Sequence, residues 1–221
     1  MNAIVNVNKS WGIGKNGKLL CHLKQDMAFF KDYTMDKTII IGRKTLEGFP
    51  NGYPLTGRKN IVITHTPSAI PEKVQHYAHF YGVSQKVMES KNVSNPSRMF
   101  VFRDQHNDKE EYKKATEYTS LFAVKNLREA MVLANLLESN TDNIIVCGGE
   151  TIYRVLLPYC KYVQVTFNDC DAEADSFFPN LNEHRDWEMM TDGAIFMDEA
   201  TGISTKFCRY RNKNVRSIYN E

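Results

Sequence analysis

Nothing in the 221-residue chain approaches the run of about 20 apolar side chains that a membrane span needs. Net charge is scarce too. The 28 Lys and Arg stand against 26 Asp and Glu, leaving +2. So small an excess speaks against a nucleic-acid or anionic-membrane footprint, and neither partner is expected. Cysteine is sparse and odd in number, at Cys21, Cys147, Cys160, Cys170 and Cys208, with no C-x-x-C pair. That excludes a disulfide framework and a clustered zinc site; free thiols, a reducing compartment, a cytoplasmic location and no metal are expected. The N-terminus MNAIVNVNKSW lacks the charged region and small-residue cleavage site of a signal peptide, so it is read as mature structure. What the chain does have is core material: 42% apolar residues, 11% of the total aromatic, enough for one compact domain over 1–221.

Short apolar runs alternate with helical patterns. Strands are expected at Ala3 to Asn8, Lys37 to Gly42, Asn60 to Thr64, 121–125, Asn143 to Cys147 and Tyr162 to Phe167. Helices are expected at Leu23 to Tyr33, Arg43 to Phe49, 127–138 and from the Gly148-Gly149 pair to near Pro158. Trp187 to Phe196 and Ile203 to Arg211 form an antiparallel pair through Thr201-Gly202. The pattern implies an α/β sheet, mostly parallel, with an antiparallel edge. Residues 84–119 break it. They are charged and weakly periodic, with MFVF (Met99 to Phe102) as the one apolar island. A surface insertion is expected there, with a hairpin around MFVF; a solvated decoration is the plainer account and a partner surface the sharper one.

Four features could carry chemistry. Asp26 lies in HLKQDMAFF, four residues before Phe30 on one helix face, and is either a boundary charge or a buried acid. Gly148-Gly149 sits between a strand and a helix, where backbone N–H groups can meet phosphate, although Glu150 would repel one. Gly42-Arg43-Lys44-Thr45 and Thr64-His65 follow two buried strands, where open α/β sheets bind ligands. Thr166 and Arg58 stand alone: a strand former and a surface charge, unless a ligand is present.

Taken in order, WGIGKNGKL, HLKQDMAFFKDYT, TIIIGRKTLEGF, PLTGRKNIVIT, IIVCGGETIY and VTFNDCDAEADSFFP resemble the dihydrofolate reductase family over about 100 residues, up to about Pro179. The order and spacing are specific; no single piece is. The resemblance implies a mixed, mainly parallel eight-stranded central sheet with flanking helices and an antiparallel C-terminal hairpin. It implies NADPH-dependent reduction of 7,8-dihydrofolate to tetrahydrofolate by a monomer. Hydride goes to C6 of the pterin and a proton to N5. Asp26 would hold the pterin amino group and N3, with Thr166 fixing the carboxylate. Phe30 and Phe49 would wall the rings, Arg58 would clamp the glutamate α-carboxylate, and Ile4 and Cys147 would offer carbonyls to the amino group. Val5, Met27, Leu55 and Tyr153 complete the implied substrate contacts.

On the cofactor side, residues 13–19 match a mobile loop over the nicotinamide, with Ile13, Gly14, Asn16, Gly17 and Leu19 as contacts and Asn6 at the carboxamide. Gly42, Arg43, Lys44 and Thr45 would meet the phosphates; Thr64, His65 and Lys125 would meet the 2′-phosphate, which favours NADPH over NADH. Cys147, Gly148, Gly149, Glu150, Thr151 and Ile152 would line the rest, the two glycines joined by a cis peptide. Three positions depart from the family. Leu20 and Cys21 replace a usual proline and tryptophan, and Asn6 replaces a common alanine. A wider pocket and weaker antifolate binding are expected. His22 is read as a surface or helix-cap residue rather than a proton donor. Two other readings remain: a pyrimidine reductase of riboflavin synthesis on the same fold, and an inactive folate- and NADPH-binding protein.

Overall fold

The structure is a computed structural model that describes residues 1–66, 70, 100–101 and 120–217. They fall into two compact units, one of residues 1–35 and 140–221, the other of 36–139.

The first unit is built on β1 (Asn2–Val7). This strand is buried along almost its whole length, as a strand covered on both faces must be. The hairpin of β2 (Gly12–Lys15) and β3 (Lys18–Leu19) follows, and then α1 (Lys24–Thr34). In the second unit come β4 (Thr38–Gly42), α2 (Arg43–Glu47), β5 (Lys59–Ile63), β6 (Phe100–Val101), β7 (Ser120–Val124) and α3 (Leu127–Leu137). The chain then returns to the first unit with β8 (Ile144–Gly148), α4 (Glu150–Leu156), β9 (Tyr162–Asn168), β10 (Ser176–Phe177), β11 (Trp187–Met197) and β12 (Ser204–Asn212).

In the first unit β1 pairs in parallel with β8 on one side and β9 on the other. β12 runs antiparallel to β9, and β11 antiparallel to β12. A small separate sheet joins β10, β2 and β3. In the second unit β4, β5 and β7 are parallel, and β6 adds antiparallel to β7. Parallel neighbours with helical connections and an antiparallel C-terminal pair are the fold class expected. The eight strands foreseen are all present, and the short β2, β3, β6 and β10 are additions. Of the charged insertion only 100–101 falls within the described residues, so the expected hairpin around MFVF lies outside them.

Packing explains the local order. Trp11 takes a positive φ of 63° and sits edge-on to Phe167 at 4.9 Å, stacked on Phe178 and near Tyr210. This aromatic cluster fixes the start of the β2–β3 hairpin on β9 and β12. Asn8 completes the turn: its Oδ1 accepts from the N–H groups of Ser10 and Gly12. In the second unit, Asn126 caps α3 by accepting from the Glu129 N–H, while the Glu129 carboxylate accepts from the Lys125 N–H and the Asn126 amide. The buried Glu138 carboxylate takes hydrogen bonds from Thr38 (2.7 Å) and Lys59 (3.0 Å), so its burial is compensated.

Two expected boundaries move. α1 begins at Lys24 after an extended Leu23, with no side-chain cap. His22 is exposed and caps nothing, so of its two bland readings the surface one holds. α2 stops at Glu47, because Phe49 is extended and a short 3-10 turn (Pro50–Gly52) follows; proline disfavours helical backbone in the residue before it.

Candidate active site

In the first unit the central group is Asp26, in the first turn of α1, where the helix dipole favours a negative charge. It is 6% exposed. Burial pushes its carboxyl above the usual carboxylate range; the Asn6 amide and then the Thr166 hydroxyl pull it back down. Asp26 is therefore the buried acid, not the boundary charge. Leu23, just before the helix, is buried; on the helix Phe30 is half-buried and Met27 exposed.

The direct partner of the carboxylate is Asn6, whose Nδ2 donates to Oδ2 at 2.7 Å. Behind it runs a chain of amides. Asn168 Nδ2 donates to Asn6 Oδ1 at 2.5 Å, and Thr205 Oγ1 donates to Asn168 Oδ1 at 3.0 Å. Asn168 and Thr205 are each 2% exposed. The charge at one end sets the polarity of the series. A carboxylate accepts only, so Asn6 must turn its NH2 toward it, and each amide behind follows. The fully buried Thr166 hydroxyl also favours the ionised carboxylate, by less than Asn6 does. The sequence signal for Asn168 is its spacing: Thr166 and Asn168 are two apart on β9 and so share a face. Asn6 stands opposite Thr166 in the β1–β9 register.

The carbonyls and glycines expected nearby are also placed. The Ile4 carbonyl accepts from the buried Tyr153 hydroxyl at 2.7 Å and keeps a second lone pair. Val5 and Cys147 are buried on β1 and β8. Gly148 and Gly149 are joined by a cis peptide, as expected. Gly148 has φ 105°, and a Cβ there would lie 2.8 Å from the Tyr153 ring, so only glycine fits. Glu150 does not point a free charge at this turn: it pairs with Arg154 and accepts from the Phe177 N–H. Thr151 is exposed and Ile152 buried beyond it on α4. Among the hairpin residues, Gly14 is buried, Ile13 half-buried, and Asn16, Gly17 and Leu19 are exposed.

In the second unit, cations and hydroxyls line one row. Gly42, Ile63 and Val124 are in register across the parallel strands β4, β5 and β7. The next residue on each strand is Arg43, Thr64 or Lys125, and Lys44, Thr45 and His65 follow the first two. All are thus brought to the carboxyl ends of adjacent parallel strands, where α/β sheets bind ligands. Lys44, His65 and Lys125 are exposed, and Arg43 pairs with Glu47. This donor set suits the phosphates of a dinucleotide. Arg58 is 6% exposed and donates to the Thr56 carbonyl. Phe49 and Leu55 are half-buried in the same unit. Among the described residues no cluster of His, Cys, Asp and Glu has the makings of a metal site.

The sequence matches the family described as dihydrofolate reductase over residues 1–102 and 106–212. It is 40% identical over 225 residues to a dihydrofolate reductase of Schistosoma mansoni, covering 95% of each chain. It is 26% identical over 202 residues to that of Bacillus subtilis (strain 168), covering 91% of this chain and 88% of that one. It is also 44% identical over 189 residues to a bifunctional dihydrofolate reductase-thymidylate synthase of Glycine max, covering 81% of this chain but 28% of that protein.

Proposed function

The chain belongs to the dihydrofolate reductase family, and from that membership we propose how its residues divide the work. It is an oxidoreductase that reduces dihydrofolate with a nicotinamide cofactor. The cofactor, when bound, supplies the hydride. We take it to be NADPH, because the cations Arg43, Lys44 and Lys125 and the donors Thr64 and His65 sit at adjacent strand ends, a set large enough for a third phosphate. Gly42 and Thr45 complete that set. Arg43, paired here with Glu47, would be one of the residues to hold a phosphate.

Asp26 receives the pterin amino group and N3, and its negative charge favours the substrate protonated at N5. Net reaction takes up one hydride at C6 and one proton at N5. The observation that carries this assignment is the burial of Asp26 together with the amide that fixes it. Arg58 binds the α-carboxylate of the glutamate tail, and Ile4 accepts from the pterin amino group alongside the Tyr153 hydroxyl. Phe30 and Phe49 pack on the rings. The protein is taken to work as a cytoplasmic monomer; its free thiols suit that compartment.

The test is the loss of NADPH absorbance with 7,8-dihydrofolate, run beside Asp26→Asn and with NADH in parallel. Turnover that needs Asp26 and prefers NADPH supports the reading. Equal rates in the Asp26→Asn variant would remove Asp26 from the mechanism.

A further inference from the structure

We propose that Cys21 and Cys170 are a reversible dithiol–disulfide site, and that closing it staples the β2–β3 hairpin and slows turnover. The second half rests on the proposed function; the bond itself does not.

All five cysteines are free. Three of the thiols lie against carbonyls or a carboxylate: Cys147 on Ile145, Cys160 on Leu156 and Cys208 on Asp192. Cys21 and Cys170 instead face each other, with sulfurs 2.8 Å apart, although 149 residues separate them in sequence. A shift of under about 1 Å reaches bonding distance.

The two thiols differ in access. Cys170 is half-buried, whereas Cys21 is 6% exposed. Burial holds the Cys21 thiol up at about 12, helped by the Cys170 thiol beside it and the charge of Asp26. Cys170 therefore reacts first. With a low-molecular-weight disulfide such as oxidised glutathione, its thiolate forms a mixed disulfide and releases one glutathione thiolate. The contribution of Cys170 to holding the Cys21 proton then falls away. Cys21 loses its proton to solvent, attacks the Cys170 sulfur and expels the second glutathione thiolate. Two protein thiols are oxidised and one disulfide is reduced to two thiols, so the exchange balances.

The consequence follows from where the two residues lie. Cys21 stands two residues after β3, and Cys170 lies near the start of the 169–175 segment that contacts the hairpin. The Asp175 N–H donates to the Gly14 carbonyl, its carboxylate accepts from the Asn16 N–H, and Glu173 pairs with Lys15. A Cβ on Gly12 would come within 2.5 Å of the Ala174 Cβ. Hydrogen bonds and ion pairs of this kind are reversible on the timescale of loop motion, whereas a covalent bond is not. Loop closures that gate catalysis need such freedom.

The experiment equilibrates the full chain in buffers of varied reduced-to-oxidised glutathione ratio. It reads intact mass, alkylatable thiols, the linked peptide and the rate of dihydrofolate reduction. The expected result is a loss of about 2 Da, a fall from five alkylatable thiols to three, one peptide joining Cys21 to Cys170, and a rate at least about threefold lower that dithiothreitol restores. Cys170→Ser and Cys170→Ala should keep the reduced rate and lose both responses. Persistent glutathione adducts without an internal bond, or a bond between other cysteines, would overturn the site. A clean Cys21–Cys170 bond with unchanged rate would overturn the stapling. If the protein does not reduce dihydrofolate at all, the mass and peptide readouts still decide the bond, so the two failures are distinguishable.

Discussion

Asn6 is the residue where this chain differs most tellingly from its expected pattern. It was expected at the cofactor carboxamide, and its amide is instead committed to Asp26 on one side and Asn168 on the other. Hydrogen bonds to a buried charge are worth about 1.5–3 kcal/mol, or about one to two pKa units. Asn6→Ala should therefore raise the acidic pKa in the pH profile of kcat/KM by about one unit. Asn168→Ala should raise it less, because Asn6 can still reach the carboxylate but is no longer oriented. A profile unmoved in both variants would mean that the amides serve packing only. Asp26 itself could be picked out from the sequence, since its spacing to Phe30 set it on a half-apolar face. Its burial could not, because that depends on β1 and β9 arriving from elsewhere in the chain. Cys21 shows the same limit. Its departure from the family was visible, whereas its pairing with Cys170 spans 149 residues and belongs to the fold alone.

At the scale of elements, periodicity found every strand of the two units except the short ones. β2, β3, β6 and β10 have two to four residues, too few to show an alternation. β11 was foreseen as a strand, but not its register shifts against β12 between Met189 and Thr191 and between Asp192 and Ile195. Gly193 lies within the second, and a Cβ there would fall against the Phe207 carbonyl oxygen. Gly193→Ala should thus lower the midpoint of urea unfolding, whereas Gly202→Ala meets no atoms and is opposed only by its φ of 69°. The α3 cap gives a cleaner test. Asn126→Ala removes the acceptor for the Glu129 N–H and should cost about 1 kcal/mol of stability in urea. Its kcat should stay unchanged, with any effect confined to KM for the cofactor, because the cap adjoins Lys125.

For the molecule as a whole, opposing titrations shape stability against pH. The Asp26 carboxyl lies above its unfolded value, so its contribution is full below about pH 4 and is lost as pH rises through the folded value. Glu173, Asp175 and Asp192 lie below theirs, because Lys15, the Asn16 N–H and Lys206 respectively hold their anions. Their contribution is present at neutral pH and is lost as pH falls through those lower values. Asp26→Asn should accordingly melt at a higher temperature than the parent at about pH 8, and the gap should close toward about pH 4. Differential scanning calorimetry at the two pH values checks both the sign and the closing. A gap that widened on acidification would mean that Asp26 is stabilised, not strained, in its ionised form.

The series from Thr205 through Asn168 and Asn6 to Asp26 has one more property, which concerns transport rather than orientation. A primary amide neither gives up nor accepts a proton near neutral pH, so two amides in a row insulate the carboxylate from the side of β12. Any proton that reaches or leaves Asp26 must travel by another face. A substrate seated on Asp26 will therefore slow exchange of that proton with solvent, because the amides offer it no relay on the β12 side.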